Sequence, residues 1–97
     1  MKIIWSPRAL DRASEYADYI AEDSQAEAKK WLVKLFKEVK RLETFPESAR
    51  VVPELNDPNI REVIFNNFRI IYEISENSIN ILTVRRFRQQ LDIDEIK

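Results

Sequence analysis

Two absences restrict the chemistry available to this 97-residue sequence: it holds no histidine and no cysteine. The usual general base, the commonest metal ligand and any thiolate nucleophile are therefore missing. What remains is carboxylates, lysines, arginines and three tyrosines. The arginines stand out by position. Arg69 lies between Phe68 and Ile70 in "IREVIFNNFRIIYEI", and Arg85, Arg86 and Arg88 lie together in "TVRRFR". A guanidinium recognises phosphate or carboxylate through several fixed N–H donors, but it does not give up a proton near neutral pH. These residues are therefore suited to binding or stabilising negative charge, not to acid–base work.

The elements that must position them follow from pattern. "KIIW" is short, β-branched and aromatic, which predicts a strand. Ser6-Pro7 is a helix start, and Leu10, Ala13, Ala17 and Ile20 continue it to about Ala21. Ser24 with Glu27 forms a capping box for a second helix, whose apolar stripe runs from Ala28 through Trp31, Leu35 and Val39 to Leu42. Two or three residues join the helices, so an antiparallel hairpin is expected. Residues 7–23 hold two basic and five acidic groups, whereas residues 24–42 hold six basic and two acidic. The lysine-rich face of the second helix is mainly a solvated surface on this reading, with a binding use as the alternative.

Residues 43–59 carry Pro46, Pro53 and Pro58 and read as loop. "IREVIF", "FRIIYEI" and "INILTVRRF" read as three strands, the first two joined across Asn66-Asn67, which tolerate positive φ in a sequence with no glycine. "QQLDIDEIK" reads as a short helix or an acidic tail. The expected class is α+β, in the order β-α-α-β-β-β. It is an antiparallel sheet with the helix hairpin on one face, in a single domain spanning residues 1–97.

Strict alternation assigns the faces. Pairing Phe65 with Phe68 and Ile74 with Ile79 puts Val63, Phe65, Phe68, Ile70, Tyr72, Ile74, Ile79, Ile81 and Thr83 under the helices. Ile64, Glu62, Arg69, Ile71, Glu73, Leu82, Val84, Arg86 and Arg88 fall on the opposite face, and Arg85 on the helix side. Arg69 then projects from an open face near Glu62 or Glu73. Ile64, Ile71, Leu82 and Val84 form an apolar patch there, rimmed by arginines, of the kind that meets a partner.

Hydrophobic residues at 44%, charged residues at 34% and a net charge of −1 describe an ordinary globular chain, not one that coats nucleic acid through global charge. "MKIIW" followed by "SPRALDR" lacks a secretory pattern and no stretch reaches membrane-spanning length, so a cytoplasmic protein without membrane contact is expected. No cofactor and no metal are expected.

The ordered set of "FPESARVVPEL", "IRE", "FRIIYEI" and "INILTVRRFR", on this element order, resembles the RelE/ParE superfamily of bacterial type II toxins over nearly the whole chain. The resemblance implies a cognate antitoxin as partner, and one of two targets. RelE-like members cut mRNA on the ribosome; ParE-like members inhibit DNA gyrase. Arg69 matches an arginine of the nucleases and Glu54 a glutamate that some relatives use as base. With Arg86 and Arg88 they form the nuclease candidate set. Ile60 and Glu62 stand where RelE-like proteins carry lysines, and Phe87 and Arg88 where relatives carry histidine and tyrosine, so a proton donor is missing. The leading expectation is a gyrase inhibitor of ParE type, with no catalytic residues. The alternatives are a ribosome-dependent endoribonuclease and a non-toxic binding module. Arg69, Arg85, Arg86, Arg88, Ile64, Ile71, Leu82 and Val84 are the expected contacts to target or antitoxin. The antitoxin is expected to cover the apolar face or to add a strand to a sheet edge.

Overall fold

A computed structural model describes residues 1–88 together with Asp94 and Ile96. The chain runs β1 (Lys2–Trp5), α1 (Pro7–Asp23), α2 (Gln25–Lys40), a 3₁₀ turn (Arg41–Glu43), β2 (Arg50–Val51), β3 (Ile60–Phe65), β4 (Phe68–Ile74) and β5 (Ser78–Arg86). The expected α+β class, helix pair and three long strands are all present. Two features add to that expectation. The proline-containing loop contributes the two-residue strand β2, and β1 pairs parallel to β5, so the sheet is mixed, in the order β1-β5-β4-β3-β2.

Local chemistry sets the helix ends. Ser6 Oγ accepts from the Ala9 amide at 3.0 Å, with Pro7 opening the helix. Ser24 alone joins the two helices: its backbone N–H donates to Ile20 O, closing α1, while its Oγ accepts from the Glu27 amide at 3.2 Å, opening α2. So tight a connection forces the hairpin. The face of α1 that packs inward is Ala9, Ala13 and Ala17, a small-residue stripe, while Leu10 is exposed. On α2 the buried residues are Ala28, Trp31, Leu35 and Val39. They close on Val63, Phe65, Ile70, Tyr72, Ile79 and Ile81 from the sheet to make the main core. The Asn66 backbone takes φ 52°, supplying the left-handed position that the tight β3–β4 turn needs.

The sheet departs from strict alternation at one place. Pairing of β4 with β5 runs Ile74↔Ile79, Glu73↔Asn80 and Tyr72↔Ile81, then shifts so that Ile71 faces Thr83, Ile70 faces Val84 and Phe68 faces Arg86. Leu82 is the extra residue of a β-bulge. Ser6 anchors it, since its N–H donates to Ile81 O at 3.0 Å and its hydroxyl donates to Leu82 O at 3.0 Å. Beyond the bulge every side chain of β5 changes face relative to the alternation reading. Val84 and Arg86 turn to the helix side, and Thr83 and Arg85 to the side of Ile71 and Arg69, reversing the expected assignment of all four.

The second face is covered by the chain itself. Val52, Leu55 and Ile60 pack with Ile71, Leu82 and Ile96 into a smaller second core. Ile71 and Val84 are fully buried and Leu82 half-buried, so of the four expected patch residues only Ile64 is exposed. The open apolar face anticipated from the pattern does not exist. The reach of the 46–59 loop over the sheet is a non-local contact that alternation cannot reveal. The terminal segment read as a short helix or an acidic tail lies mostly outside the described residues, Leu91 and Ile93 among them, while Ile96 is buried against Val52 and Ile71.

Candidate functional site

The arginines separate into two groups. Arg69 is buried, with 4% of its surface exposed, and is held from two sides. Its Nη1 and Nη2 donate to the two carboxylate oxygens of Glu54 at 2.8 Å each, and its Nε donates to Glu62 Oε1 at 2.6 Å. Arg50 in turn donates to Glu62 Oε2. β2 and β3 place Arg50 opposite Glu62, and β3 and β4 place Ile64 opposite Arg69, so the network is a product of register. A parallel two-bond contact of this kind is the strongest geometry available to an arginine and a carboxylate. The Arg69 guanidinium holds Glu54 below its ordinary value of 4.5, and the paired carboxylates raise Arg69 in return. Arg69 therefore does not project from an open face, as alternation suggested. It pins the 46–59 loop to the sheet.

Tyr72 pins the same loop from the other face. Its hydroxyl donates to Pro46 O at 2.7 Å, and burial pushes the phenol up to about 12. Neither residue is presented to a ligand.

Arg86 is the contrasting case. The bulge brings it to the helix side, where its guanidinium carbon lies 5.1 Å from the Tyr19 ring centroid and 5.7 Å from that of Tyr16, within cation–π range. Tyr16 is itself fixed edge-on against Phe68, with ring centroids 4.8 Å apart. Arg86 remains exposed, as do Phe87 and Arg88. Together with Asn67 these three line a cleft of about 410 Å³ at the end of the sheet. The Phe87 amide donates to Asn67 O, which ties the exit of β5 to the β3–β4 turn. Arginine donors on an aromatic platform beside an exposed phenylalanine are equipped to take a carboxylate or phosphate next to an apolar group.

The structure thus brings Arg86 and Arg88 together and leaves Glu54 and Arg69 bound to each other. Arg85 pairs across the strands with Arg69 and is half-buried. Tyr16 and Tyr19, both on α1, belong to the Arg86 surface, and Tyr16 also packs against the main core. Their i, i+3 spacing on α1 was the available signal. Among the described residues no group of three or more acidic side chains could hold a metal ion, and no helix is long and apolar enough to cross a membrane.

A five-stranded mixed sheet backed by a helix hairpin defines the class of the chain as α+β. The family described as ParE toxin of type II toxin-antitoxin system, parDE, matches residues 3–91, and the chain belongs to it. The solved chromosomal ParDE toxin–antitoxin system from P. aeruginosa shares the fold. It is 20% identical, covers 89% of this chain and 95% of its own, and superposes with a TM-score of 0.74. No curated protein matches the chain.

Proposed function

We propose that this ParE-family toxin acts on DNA gyrase without catalysing a reaction, and that a cognate antitoxin neutralises it in the cytoplasm. The observation that carries this reading is the Arg69–Glu54 pair. RNA cleavage needs a free carboxylate or equivalent base near the 2′-hydroxyl and a donor for the leaving oxygen. Glu54, the one carboxylate that the nuclease reading could use, spends both oxygens on Arg69. Arg69, the matching phosphate ligand, is buried. Base and cation are spent on each other, which leaves the Arg86–Arg88 corner as a charged surface suited to a protein target.

The test places the purified chain in two assays. In gyrase supercoiling of relaxed plasmid, the parent is expected to inhibit. Arg86→Ala and Arg88→Ala, while folded, are expected to inhibit at least tenfold less. In a translation extract, mRNA is expected to stay intact. Cleavage of mRNA at the ribosomal A site with supercoiling unaffected would overturn the proposal.

A further inference from the structure

The solvent face of α2 is basic, and the fold makes little use of its charge. Opposite the buried stripe of Ala28, Trp31, Leu35 and Val39, helical spacing sets Ala26, Lys29, Val33, Lys37 and Lys40 along one exposed line. The two acids of the helix stand at the margin of this face and are already engaged, Glu27 with Lys30 at 3.6 Å and Glu38 with Arg41 at 3.3 Å. Lys29, Lys34, Lys37 and Lys40 enter no ion pair among the described residues. The neighbouring helix α1 carries Asp11, Glu15, Asp18, Glu22 and Asp23, yet no lysine of α2 reaches any of them.

The make-up of the face selects its ligand. Its cations on the outward line are lysines, compact point charges that meet phosphate without the fixed fork of an arginine. Ala26 and Val33 lie low between the lysine stems and leave a trough of about 410 Å³ bounded by Lys29, Lys30 and Lys34. Phe36, at the border of the line, packs edge-on against Trp5 with ring centroids 4.9 Å apart. Protein interfaces are depleted in lysine and centred on aromatic anchors. A helix that lies on a membrane needs a broad apolar face, and a single strand needs rings on which its bases stack. Val33 alone supplies none of these. A row of ammonium groups beside a trough matches the phosphate ridge of a duplex, which carries one negative charge per about 1.7 Å of axis. From Lys29 to Lys40 the helix advances about 16 Å at about 1.5 Å per residue, enough to follow several phosphates.

We infer that the outward face of α2 binds duplex DNA through its phosphate backbone, without regard to sequence, with Lys29, Lys37 and Lys40 as the main contacts. The choice of DNA over RNA rests on the gyrase reading proposed above, since a chain seated on an enzyme that works on DNA meets DNA beside it. The trough shares no lining residue with the Arg86–Arg88 cleft, so this is a second surface. A net charge of −1 does not oppose it, because backbone binding responds to the local field of the face.

The test is fluorescence anisotropy of a labelled, mixed-sequence DNA duplex titrated with the purified chain, without gyrase. Three neutralised phosphates predict affinity about fortyfold weaker at about 200 mM salt than at about 50 mM. A duplex of unrelated sequence is expected to bind within about twofold of the first. The combined variant Lys29→Gln, Lys37→Gln, Lys40→Gln is expected to bind at least tenfold more weakly at low salt, with a salt dependence below about fivefold, while melting like the parent. The salt dependence of the unaltered chain keeps the test independent of that variant's folding. Absence of binding at low salt, or a combined variant that binds like the parent, overturns the inference. Tighter binding to an RNA duplex of the same length, or binding to anionic lipid vesicles and not to DNA, reassigns the face and overturns it as well. Duplex binding as expected beside an unaffected supercoiling assay supports the surface and overturns only the gyrase reading.

Discussion

Arg69 and Arg86 sit on neighbouring strands, at pairing positions one residue apart: Arg69 faces Arg85, and Phe68 faces Arg86. Yet one is sealed between two carboxylates, whereas the other lies over two tyrosine rings with its donors available to solvent. A positive charge placed under a loop has to bring its own counter-charges, and once matched it has little left for a ligand. A positive charge on an aromatic shelf keeps its N–H groups free, because the ring faces ask for none of them. Exposure and partner type, more than residue type, separate an arginine consumed by the fold from one whose donors stay open to solvent.

The comparison breaks most visibly if Arg69 is removed. Arg69→Ala leaves Glu62 buried with Arg50 alone and releases Glu54, at an expected cost of about 3–5 kcal/mol in folding free energy. Urea denaturation measures it, and a loss below about 1 kcal/mol would mean that the network is ornamental.

A smaller effect sharpens the same side. Glu54 is partly exposed, with 41% of its side chain accessible, so Glu54→Gln is expected to cost about 1 kcal/mol at neutral pH. The pH dependence has a fixed sign. The folded carboxylate titrates below 4.5, so its contribution is present above that value and is lost as the pH falls through the folded one. The parent should therefore lose stability on acidification below about pH 4.5, and the Glu54→Gln variant should lose less. Equal losses would show that other carboxylates control the acid limb.

The smallest stability effect belongs to Arg86. Arg86→Ala gives up exposed cation–π contacts and is expected to change folding free energy by no more than about 1 kcal/mol, while its effect on the target should be large. A thermal melt beside the supercoiling assay separates the two. A large drop in melting temperature would place Arg86 with Arg69, as a structural group.

How far the sequence led can be read from these residues. The capping serines, the Asn66 turn and the three long strands were legible, because their signals are local. The pairing Phe65↔Phe68 followed from the turn and held. What failed was everything past Leu82 on β5, since a bulge without glycine or proline leaves no mark in composition. Its anchor, Ser6, lies 76 positions away. That one extra residue moved Arg86 to the tyrosines and Val84 into the interior. Glu62 was legible as a neighbour of Arg69. The bidentate Glu54 was not placed there by pattern, because no periodicity reports where a proline-containing loop comes to rest. For the same reason Ile71 looked exposed, whereas Val52 covers it.

The parallel seam between β1 and β5 carries a consequence in time. Lys2 pairs with Ser78 and Trp5 with Ile81, so the first strand to leave the ribosome has no partner until nearly the whole chain has been made. At about 5–20 residues per second, the 76 positions between Ser6 and Leu82 take roughly 4–15 s to synthesise. For most of that interval the helix hairpin can form, but its apolar stripe meets no sheet until β3 and β4 have been made. The Arg86 corner, built from α1 and the far end of β5, is the last part to come together. A chain cut short before β5 thus lacks both the strand that joins β1 to β4 and the Arg86 corner.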